Sequence, residues 1–202
     1  MDMMLHNFTE ELAGKAAVPG GGSVAALAGS LAASLGSMAA NLTSGKKKYA
    51  AYQADIERMI EEARALRQDF LALMDKDAEA FLPLSKAYGI PKEDPNRDAV
   101  MEEALRAASA APVEVLEKTL VLTALLEELV EKCSALVISD VGVAASCCRC
   151  AAESALLNVR INTKMMKDRA AADAMDARAE AACASVTERC GKLYACVLQG
   201  LR

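Results

Sequence analysis

The sequence predicts an all-α fold: a bundle of long, closely packed helices that is homodimeric. Apolar residues make up 53% of the chain, aromatic residues only 3%, and there is no Trp. Ala is abundant and β-branched runs are scarce, a composition typical of helices. The 202 residues suit one domain, residues 1–202, because no repeat, linker or composition break divides them. Several predicted helices are too apolar to be solvated in a lone bundle, so a homodimer is expected.

The net charge of −5 excludes a broadly basic surface. Nucleic acids and anionic membranes attract an excess of Lys and Arg, so neither is an expected partner. The stretch Met1–Thr9 is short and mixed, unlike a secretion signal, and a cytoplasmic location is therefore expected.

The seven cysteines are an odd number, which also fits a reducing compartment. Cys147, Cys148 and Cys150 contain one CxxC, but no second CxxC and no neighbouring His completes a metal site. Cysteines in such surroundings are typical of small apolar fillers between helices. His6 is the one histidine, so a His-dependent triad or zinc site is not expected, although His6 could act as a single catalytic group.

The N-terminal segment combines a short helix with a glycine-rich stretch. Residues 3–14 place Met4, Leu5, Phe8 and Leu12 at helical spacing, which predicts an amphipathic helix that lids the bundle. The stretch Val18–Ser23 is predicted to be a flexible loop, with Ser23 as the N-cap of the next helix. Free backbone N–H groups at a helix N-terminus suit an anion, although neither standard nucleotide-binding motif is present.

The uncharged run Val24–Leu42 predicts a central helix with one face of small residues. That face permits close approach of another helix, and its members are Gly29, Ala33, Gly36 and Ala40. A membrane span would also be long and uncharged, but four polar residues dilute the run, so a helix of a soluble bundle is favoured. A partner helix is expected either on this face or on the segment Leu116–Leu129.

The rest of the chain is predicted to form long amphipathic helices separated by short breaks. Helical segments are predicted over about Tyr49–Tyr88, Asn96–Val130, Val141–Ala152 and Met175–Leu201, with loops at Thr43–Tyr49 and Gly89–Pro95. Pro112 is expected either to kink the third helix or to open a new one.

A few polar residues interrupt otherwise apolar segments. Asp140 follows Ser139 inside an uncharged run, and a buried unpaired carboxylate is costly, so Asp140 is expected either to cap a helix or to act as a functional acid. Asn158 and Asn162 are four residues apart and point to one side of a helix. Asp77 lies beside an apolar stripe, either as a solvated acid or as part of a site.

These stretches resemble the cyclodeaminase/cyclohydrolase family. This family contains the C-terminal half of formiminotransferase-cyclodeaminase and free-standing methenyltetrahydrofolate cyclohydrolases. The residues that carry the resemblance are Pro19–Ala26, Leu42–Tyr49, Asp77 with Ala80-Phe81, Pro91-Lys92, Ser139-Asp140 and Asn158–Asn162. The match keeps the motif order and runs from near Phe8 to beyond Asn162.

The resemblance implies an all-α homodimer that binds a tetrahydrofolate derivative near the glycine stretch, without a metal or redox cofactor. It implies hydrolysis of 5,10-methenyltetrahydrofolate to 10-formyltetrahydrofolate, which is the favoured activity. The alternatives are cyclodeamination of 5-formiminotetrahydrofolate and a non-catalytic folate-binding role.

The resemblance also implies roles for the polar motifs. The expected catalytic residues are Asp140 as the first candidate for the acid/base, Asp77 as the second, and Ser139. The expected folate-binding residues are Gly20, Gly21, Gly22, Ser23, Lys46, Lys47, Asn158 and Asn162, with the lysines holding the anionic tail of a polyglutamylated folate.

Overall fold

The computed structural model describes residues 5–201, which are helical and contain no strand. The described α-helices are α1 Leu5–Leu12, α2 Gly21–Asn41, α3 Gln53–Ala87, α4 Arg97–Lys132, α5 Ile138–Thr163 and α6 Arg169–Gly200. Short 3-10 turns at Lys47–Tyr52 and Ala135–Val137 lead into α3 and α5. The all-α prediction is confirmed, while Met4 of the first predicted helix lies outside the described residues.

The central helix α2 packs against α3, α4 and α5. Its small-residue face is fully buried inside the chain. A Cβ atom on Gly29 would lie 2.6 Å from ring atoms of Phe70 in α3, and one on Gly36 would lie 3.3 Å from Leu126 in α4. The predicted close approach is therefore made by helices of the same chain. The expectation that a partner helix uses this face is wrong, because α3 and α4 already cover it.

The start of α2 differs from the prediction. The N-cap residue is Gly20, and Ser23 is buried in the first turn instead of capping it. The helix already begins at Gly21, two residues before Ser23, and a carboxylate from α3, described below, lies against this first turn. The stretch predicted as a flexible loop is thus partly helical.

Other helix boundaries also extend beyond the predicted ones. Pro112 lies inside a continuous α4, so it does not open a new helix. The helix α5 continues well past Ala152, and α6 begins at Arg169, where Asp168 caps it by accepting a hydrogen bond from the Ala171 N–H. The N-cap of α5 is Val137, and Asp140 lies in the first turn with no capping hydrogen bond. The capping interpretation of Asp140 is therefore wrong.

Two helical segments, Gly21–Asn41 and Ala135–Thr163, are long and apolar enough to cross a membrane by length and composition alone. Only 56% and 44% of their most apolar windows are buried inside the chain. The exposed large apolar side chains of these two helices are Leu31, Met38, Val143, Leu157 and Ile161.

The helices α2 and α5 lie side by side and antiparallel. Gly21 at the start of α2 lies beside Asn158 near the end of α5. At the opposite end, the Ser134 N–H donates to Oγ1 of Thr43 at 2.8 Å. The two ends are separated by the length of α2, about 31 Å at 1.5 Å per residue. We call the end with residues 20–23, Asp77 and Asn158 the glycine end, and the end with residues 46–48, 134, 139 and 140 the lysine end.

Candidate active site

A cleft of about 120 Å³ opens at the glycine end. Four helices contribute to it: the glycines of α2, Asp77 and Phe81 of α3, Pro112 of α4, and Asn158 and Asn162 of α5. The cleft thus brings together residues that are widely separated in the sequence, most of which belong to the motifs of the sequence analysis.

The carboxylate of Asp77 lies against the first turn of α2. The Ser23 hydroxyl donates to Oδ2 of Asp77 at 3.0 Å. A Cβ atom on Gly22 would lie only 2.0 Å from Oδ1 of Asp77, so this contact requires glycine. Backbone N–H groups in the first turn of a helix have no partner within the helix, and the positive end of the helix dipole favours an anion there. The first turn of α2 therefore holds the carboxylate in a fixed position.

The protonation of Asp77 is shifted by its surroundings. Burial raises the pKa of this carboxyl, and hydrogen bonds from the hydroxyl and backbone N–H of Ser23 lower it by a smaller amount, so the pKa is raised overall. A carboxylate with a raised pKa takes up a proton more readily near neutral pH than an exposed one, and the protonated group can then donate that proton in a later step. Asp77 is thus placed to act as a general acid/base.

The two asparagines of α5 form another wall of the cleft. The amide of Asn158 donates to the Ser154 carbonyl at 2.8 Å and lies over Gly21, where a Cβ atom would be 3.1 Å from it. Asn162 is only 6% exposed, yet its side chain makes no hydrogen bond to any residue between 5 and 201. Among the described residues no fully buried side-chain N or O atom lacks a hydrogen-bond partner, so the amide atoms of Asn162 open into the cleft. The Asn162 amide is therefore available to a ligand or water in the cleft.

The sequence interpretation missed several wall residues. Pro112 has no N–H, so the carbonyl of Ala108 lacks its usual helical donor, and both residues line the cleft. Phe81 and Ile161 add apolar surface. A proline inside a helix could have indicated a carbonyl without its helical donor, and Ile161 could have been found because it lies one turn after Asn158.

The lysine end has a different character. Nζ of Lys46 donates to Oγ of Ser134 at 3.3 Å, while Lys47 is exposed. The turn before them needs glycine at position 45, where φ is 74°. Asp140 is half-buried and makes no hydrogen bond or ion pair within residues 5–201, and Ser139 beside it is exposed.

The structure therefore divides the predicted site residues into two groups. The first group, Gly20 to Ser23, Asp77, Asn158 and Asn162, is brought together by the cleft. The second group, Lys46, Lys47, Ser139 and Asp140, lies at the lysine end of the same chain. Asp140 and Asn158 are about five helical turns apart on α5, or about 27 Å. The roles assigned to both groups stay predictions.

Arg160, inside the Asn158–Asn162 motif, serves a contact that the sequence did not reveal. Its Nη1 donates to Oδ2 of Asp176 at 2.7 Å, and the Thr163 hydroxyl donates to Oδ1 at 2.6 Å. Asp176 is buried on α6, so these bonds fix the end of α5 against α6. The wall that carries the two asparagines is anchored in this way.

The remaining chemistry-bearing residues lie away from the cleft. His6 is exposed on α1, with Nε2 at 3.0 Å from Glu10. All seven cysteines are free, and Cys133, Cys148, Cys183 and Cys190 are buried, while their role as small fillers stays a prediction. Within residues 5–201 no group of three or more His, Cys, Asp and Glu side chains is arranged to hold a metal ion. That no metal takes part in function stays a prediction.

Known proteins are similar to most of this chain. A family model described as formiminotransferase-cyclodeaminase matches residues 4–181. A methenyltetrahydrofolate cyclohydrolase of Methylorubrum extorquens is 36% identical over 173 residues, covering 84% of this chain and 83% of that protein. A mouse formimidoyltransferase-cyclodeaminase is 34% identical over 172 residues, and the match spans 32% of its length.

A solved structure extends the similarity to the whole fold. The crystal structure of a formiminotetrahydrofolate cyclodeaminase from Thermotoga maritima superposes with a TM-score of 0.85, covers 98% of both chains and is 29% identical in sequence. With a family model covering most of its length, the chain belongs to the formiminotransferase-cyclodeaminase family.

Proposed function

We propose that the protein is a methenyltetrahydrofolate cyclohydrolase, which hydrolyses 5,10-methenyltetrahydrofolate to 10-formyltetrahydrofolate. The observation that carries this proposal is the carboxylate of Asp77, fixed against the first turn of α2 in a cleft with two asparagine amides. The similarity to the Methylorubrum cyclohydrolase over 83% of that protein's length supports the same reaction.

The substrate carries a positive charge on the one-carbon bridge between N5 and N10. A carboxylate in the cleft stabilises this cation and accepts a proton from water as the water oxygen attacks the bridging carbon. A carbon–oxygen bond forms, and the product of this step is a neutral tetrahedral adduct with a hydroxyl group. Asp77, with its raised pKa, is then protonated.

The adduct opens when the bond between the carbon and N5 breaks. The electron pair goes to N5, which takes the proton from Asp77, and the adduct hydroxyl releases its proton to solvent as the formyl C=O forms. One proton is released overall, and Asp77 returns to its ionised form. A single carboxyl group with a raised pKa is therefore able to serve both steps.

The other residues of the cleft bind and orient the substrate in this proposal. The amide of Asn162 and the carbonyl of Ala108 supply a donor and acceptors for the pterin ring, which carries both kinds of group. Asn158 and the backbone N–H groups at Gly20 to Ser23 complete the polar wall. Outside the cleft, Lys46 and Lys47 at the lysine end bind the anionic glutamate tail, which favours a polyglutamylated substrate.

Cyclodeamination is the second candidate, and the similarity to the Thermotoga cyclodeaminase over 98% of both chains favours it. In that reaction N10 of 5-formiminotetrahydrofolate attacks the formimino carbon, the N10 proton passes to a base, and the nitrogen of the tetrahedral adduct leaves as ammonia after protonation. The same carboxyl group serves both transfers. A non-catalytic folate-binding protein is a further alternative.

The oligomeric state, location and cofactor requirement are part of the same proposal. The protein acts as a homodimer in the cytoplasm and needs no metal or redox cofactor beyond its tetrahydrofolate substrate. The net charge of −5 supports neither nucleic-acid nor anionic-membrane binding.

The experiment that tests the proposal incubates the pure protein separately with each of the two folates and follows the absorbance of the methenyl group. A cyclohydrolase lowers the absorbance of 5,10-methenyltetrahydrofolate, whereas a cyclodeaminase produces that absorbance from 5-formiminotetrahydrofolate. Folate binding without turnover of either compound would replace the proposal with the binding role. No binding and no turnover would overturn all three.

A further inference from the structure

We propose that Pro112 determines specificity: it leaves the Ala108 carbonyl without a helical donor, and that carbonyl then accepts a hydrogen bond from the 2-amino group of the pterin. The inference rests on the proposed function, because it takes a tetrahydrofolate derivative as the ligand. It goes beyond that function by naming the edge of the ring that the cleft binds and the residue that makes this binding possible.

Within residues 5–201, two prolines lie inside helices, and their surroundings differ. Pro83 belongs to α3 and Pro112 to α4. A proline inside a helix removes one hydrogen bond, and its ring clashes with the carbonyl four residues earlier, so each proline destabilises its helix. Pro83 is exposed, and the carbonyl that it leaves unpaired belongs to Glu79, which is exposed as well. Bulk water is therefore able to hydrate the unpaired carbonyl of α3.

The unpaired carbonyl of α4 has far less access to water. Pro112 is buried, and Ala108 is only 4% exposed. Both residues line the cleft at the glycine end. The Ala108 carbonyl points along α4 toward Pro112, because helical carbonyls point toward the C-terminus of the helix. A buried carbonyl without a partner is costly, so its partner is expected to be a molecule in the cleft.

The size of the cleft limits which part of a ligand it holds. Its volume is about 120 Å³. Sites that enclose a whole drug-sized ligand typically measure about 300–1,000 Å³. The cleft therefore suits one edge of a ring system better than a complete folate. Phe81 and Ile161 offer apolar surface to the ring, and the polar groups of α4 and α5 are left for its edge.

The buried amide of Asn162 matches one part of a pterin edge. Its side chain makes no hydrogen bond to any residue between 5 and 201, and it lines the same cleft. A carboxamide carries an acceptor oxygen beside an NH₂ donor, so it is able to bind a lactam through two parallel hydrogen bonds. The pterin contains such a lactam at N3–H and the 4-oxo group. Oδ1 of Asn162 accepts from N3–H, and Nδ2 donates to the 4-oxo group.

The 2-amino group is the donor that remains next to this lactam. The helix α4, which carries Ala108, packs against α5, which carries Asn162. The other polar side chains of the cleft already have partners within the chain, because Asp77 accepts from Ser23 and the Asn158 amide is bonded within α5. The Ala108 carbonyl therefore supplies the acceptor for the 2-amino group, and Pro112 keeps it available as a positioning residue.

This arrangement predicts selection for ligands that carry the 2-amino group. A ligand without that donor leaves the buried carbonyl unpaired, which typically weakens binding by about 10- to 100-fold. The reacting one-carbon bridge lies on the other ring of the pterin, so this hydrogen bond is the same in the substrate and in the transition state. It therefore contributes to KM and not to kcat.

The test compares two ligands that lack a methenyl bridge: 5-formyltetrahydrofolate and its analogue with a methyl group in place of the 2-amino group. Calorimetry measures both dissociation constants. We expect the wild type to bind the amino compound about 10- to 100-fold more tightly than the methyl compound. Pro112→Ala gives the Ala108 carbonyl a helical N–H donor, so this ratio should fall to about 3-fold or less. KM for 5,10-methenyltetrahydrofolate should rise with little change in kcat.

Stability distinguishes this role from a purely structural one. Replacing a proline inside a helix should raise the Tm of Pro112→Ala, and also that of the matched control Pro83→Ala. The control should keep the wild-type ratio of the two dissociation constants. Pro112→Gly also restores the N–H but has a lower helix propensity, so it should lose the ratio with a smaller gain in Tm.

Three results would overturn the proposal: an unchanged ratio in Pro112→Ala, equal weakening of both ligands in that variant, or a wild type that binds neither ligand or both equally. Equal weakening would mean that the substitution only displaces the wall of the cleft. Turnover of 5,10-methenyltetrahydrofolate by such a wild type would leave the proposed function intact. Selection for the amino compound by a protein that turns over neither folate would instead refute the proposed function and preserve the inference.

Discussion

The glycine end and the lysine end of the bundle each carry predicted site residues but hold them in opposite ways. At the glycine end, Asp77 is half-buried and accepts a hydrogen bond from Ser23. Its carboxylate lies so close to Gly22 that a side chain at position 22 would overlap it. At the lysine end, Lys47 is exposed and Asp140 has no partner among residues 5–201. Catalysis by a carboxylate depends on a fixed position away from bulk water. Chemistry is therefore assigned to the glycine end, and adjustable charge contacts to the lysine end.

The glycines of the two ends illustrate the same contrast. Gly22 is needed because a side-chain atom would overlap the carboxylate of Asp77. Gly45 is needed because its φ of 74° lies in the left-handed region, and nothing lies within 4 Å of its Cβ position. Gly22 therefore permits a close contact in the site, whereas Gly45 permits a backbone turn.

Among variants that keep the Asp77 carboxylate, the largest predicted effect comes from Gly22→Ala. The new Cβ atom would lie 2.0 Å from Oδ1 of Asp77, so the carboxylate must move. A displacement of about 1 Å in a catalytic group lowers the rate by about 10²-fold, and we expect at least this loss in kcat. The matched control is Gly191→Ala on α6, where nothing lies within 4 Å of the new atom and turnover should be unchanged. Equal kcat values for the two variants would remove Gly22 from the site.

The next effect concerns the helix that joins the two ends. In Gly29→Ala the added atom would lie 2.6 Å from the buried ring of Phe70, and the overpacking should lower the free energy of unfolding by about 1–3 kcal/mol. Gly191→Ala should instead be neutral or stabilising by up to about 1 kcal/mol, because Ala favours a helix. Denaturant unfolding measures both. If Gly29→Ala stabilised the protein, the packing of α2 against α3 would accommodate the added methyl group easily. The distance between the glycine end and the lysine end would then not be rigidly fixed by this packing.

A smaller effect is expected from the lysine end. Replacing Lys46 and Lys47 by Ala should raise KM for a polyglutamylated folate by roughly 3- to 10-fold, with less effect on the monoglutamate and little on kcat, because exposed charges contribute about 0.2–1 kcal/mol each. Added salt should weaken binding by the wild type more than by the double variant. Lys192→Ala, an exposed lysine on α6, is the control. Equal changes with both folates would give the pair a structural role.

The smallest effect is the pH dependence of stability at the glycine end. Because the pKa of Asp77 is raised in the folded protein above the ordinary value of 3.8, ionisation of this group weakens the fold. Its contribution to stability is greatest below the unfolded pKa and is lost as pH rises through the folded pKa. Asn cannot ionise, so the Tm of Asp77→Asn should gain on the wild type as pH is raised. If the Tm of the wild type instead rises relative to that of Asp77→Asn as pH is raised, the first turn of α2 stabilises the anion more than burial destabilises it.

Much of the fold followed from the sequence because small and apolar residues recur at helical spacing. Gly29 and Gly36 predicted close helix packing, and the structure confirms it. The sequence could not say that Phe70 and Leu126 of the same chain fill that space, because nothing in one helix identifies its neighbour. The N-cap was wrongly predicted at Ser23 for a related reason: the carboxylate against that turn comes from a residue about fifty positions away.

The site was predicted as a set of residues but not as a geometry. The polar motifs containing Asp77 and Asn158 were identified, and the structure brings them into one cleft. Asp140 was ranked first because an aspartate in an uncharged run is conspicuous, whereas Asp77 lies among other acids of a charged helix. The hydrogen bond from Ser23 and the close contact with Gly22 distinguish Asp77 from Asp140, and both depend on tertiary contacts that the sequence does not express. Wall residues such as Pro112 have no polar side chain and gave no signal of their own.

The central claim, that the carboxylate at the glycine end moves the protons of the reaction, is tested most directly by the kcat of Asp77→Asn with 5,10-methenyltetrahydrofolate. Asn keeps the size of the side chain and is able to accept the hydrogen bond from Ser23, but it carries no charge and takes up no proton. The account predicts a folded variant that still binds the folate and loses about 10²–10⁴ in kcat. A folded variant that turns over at the wild-type rate would contradict it.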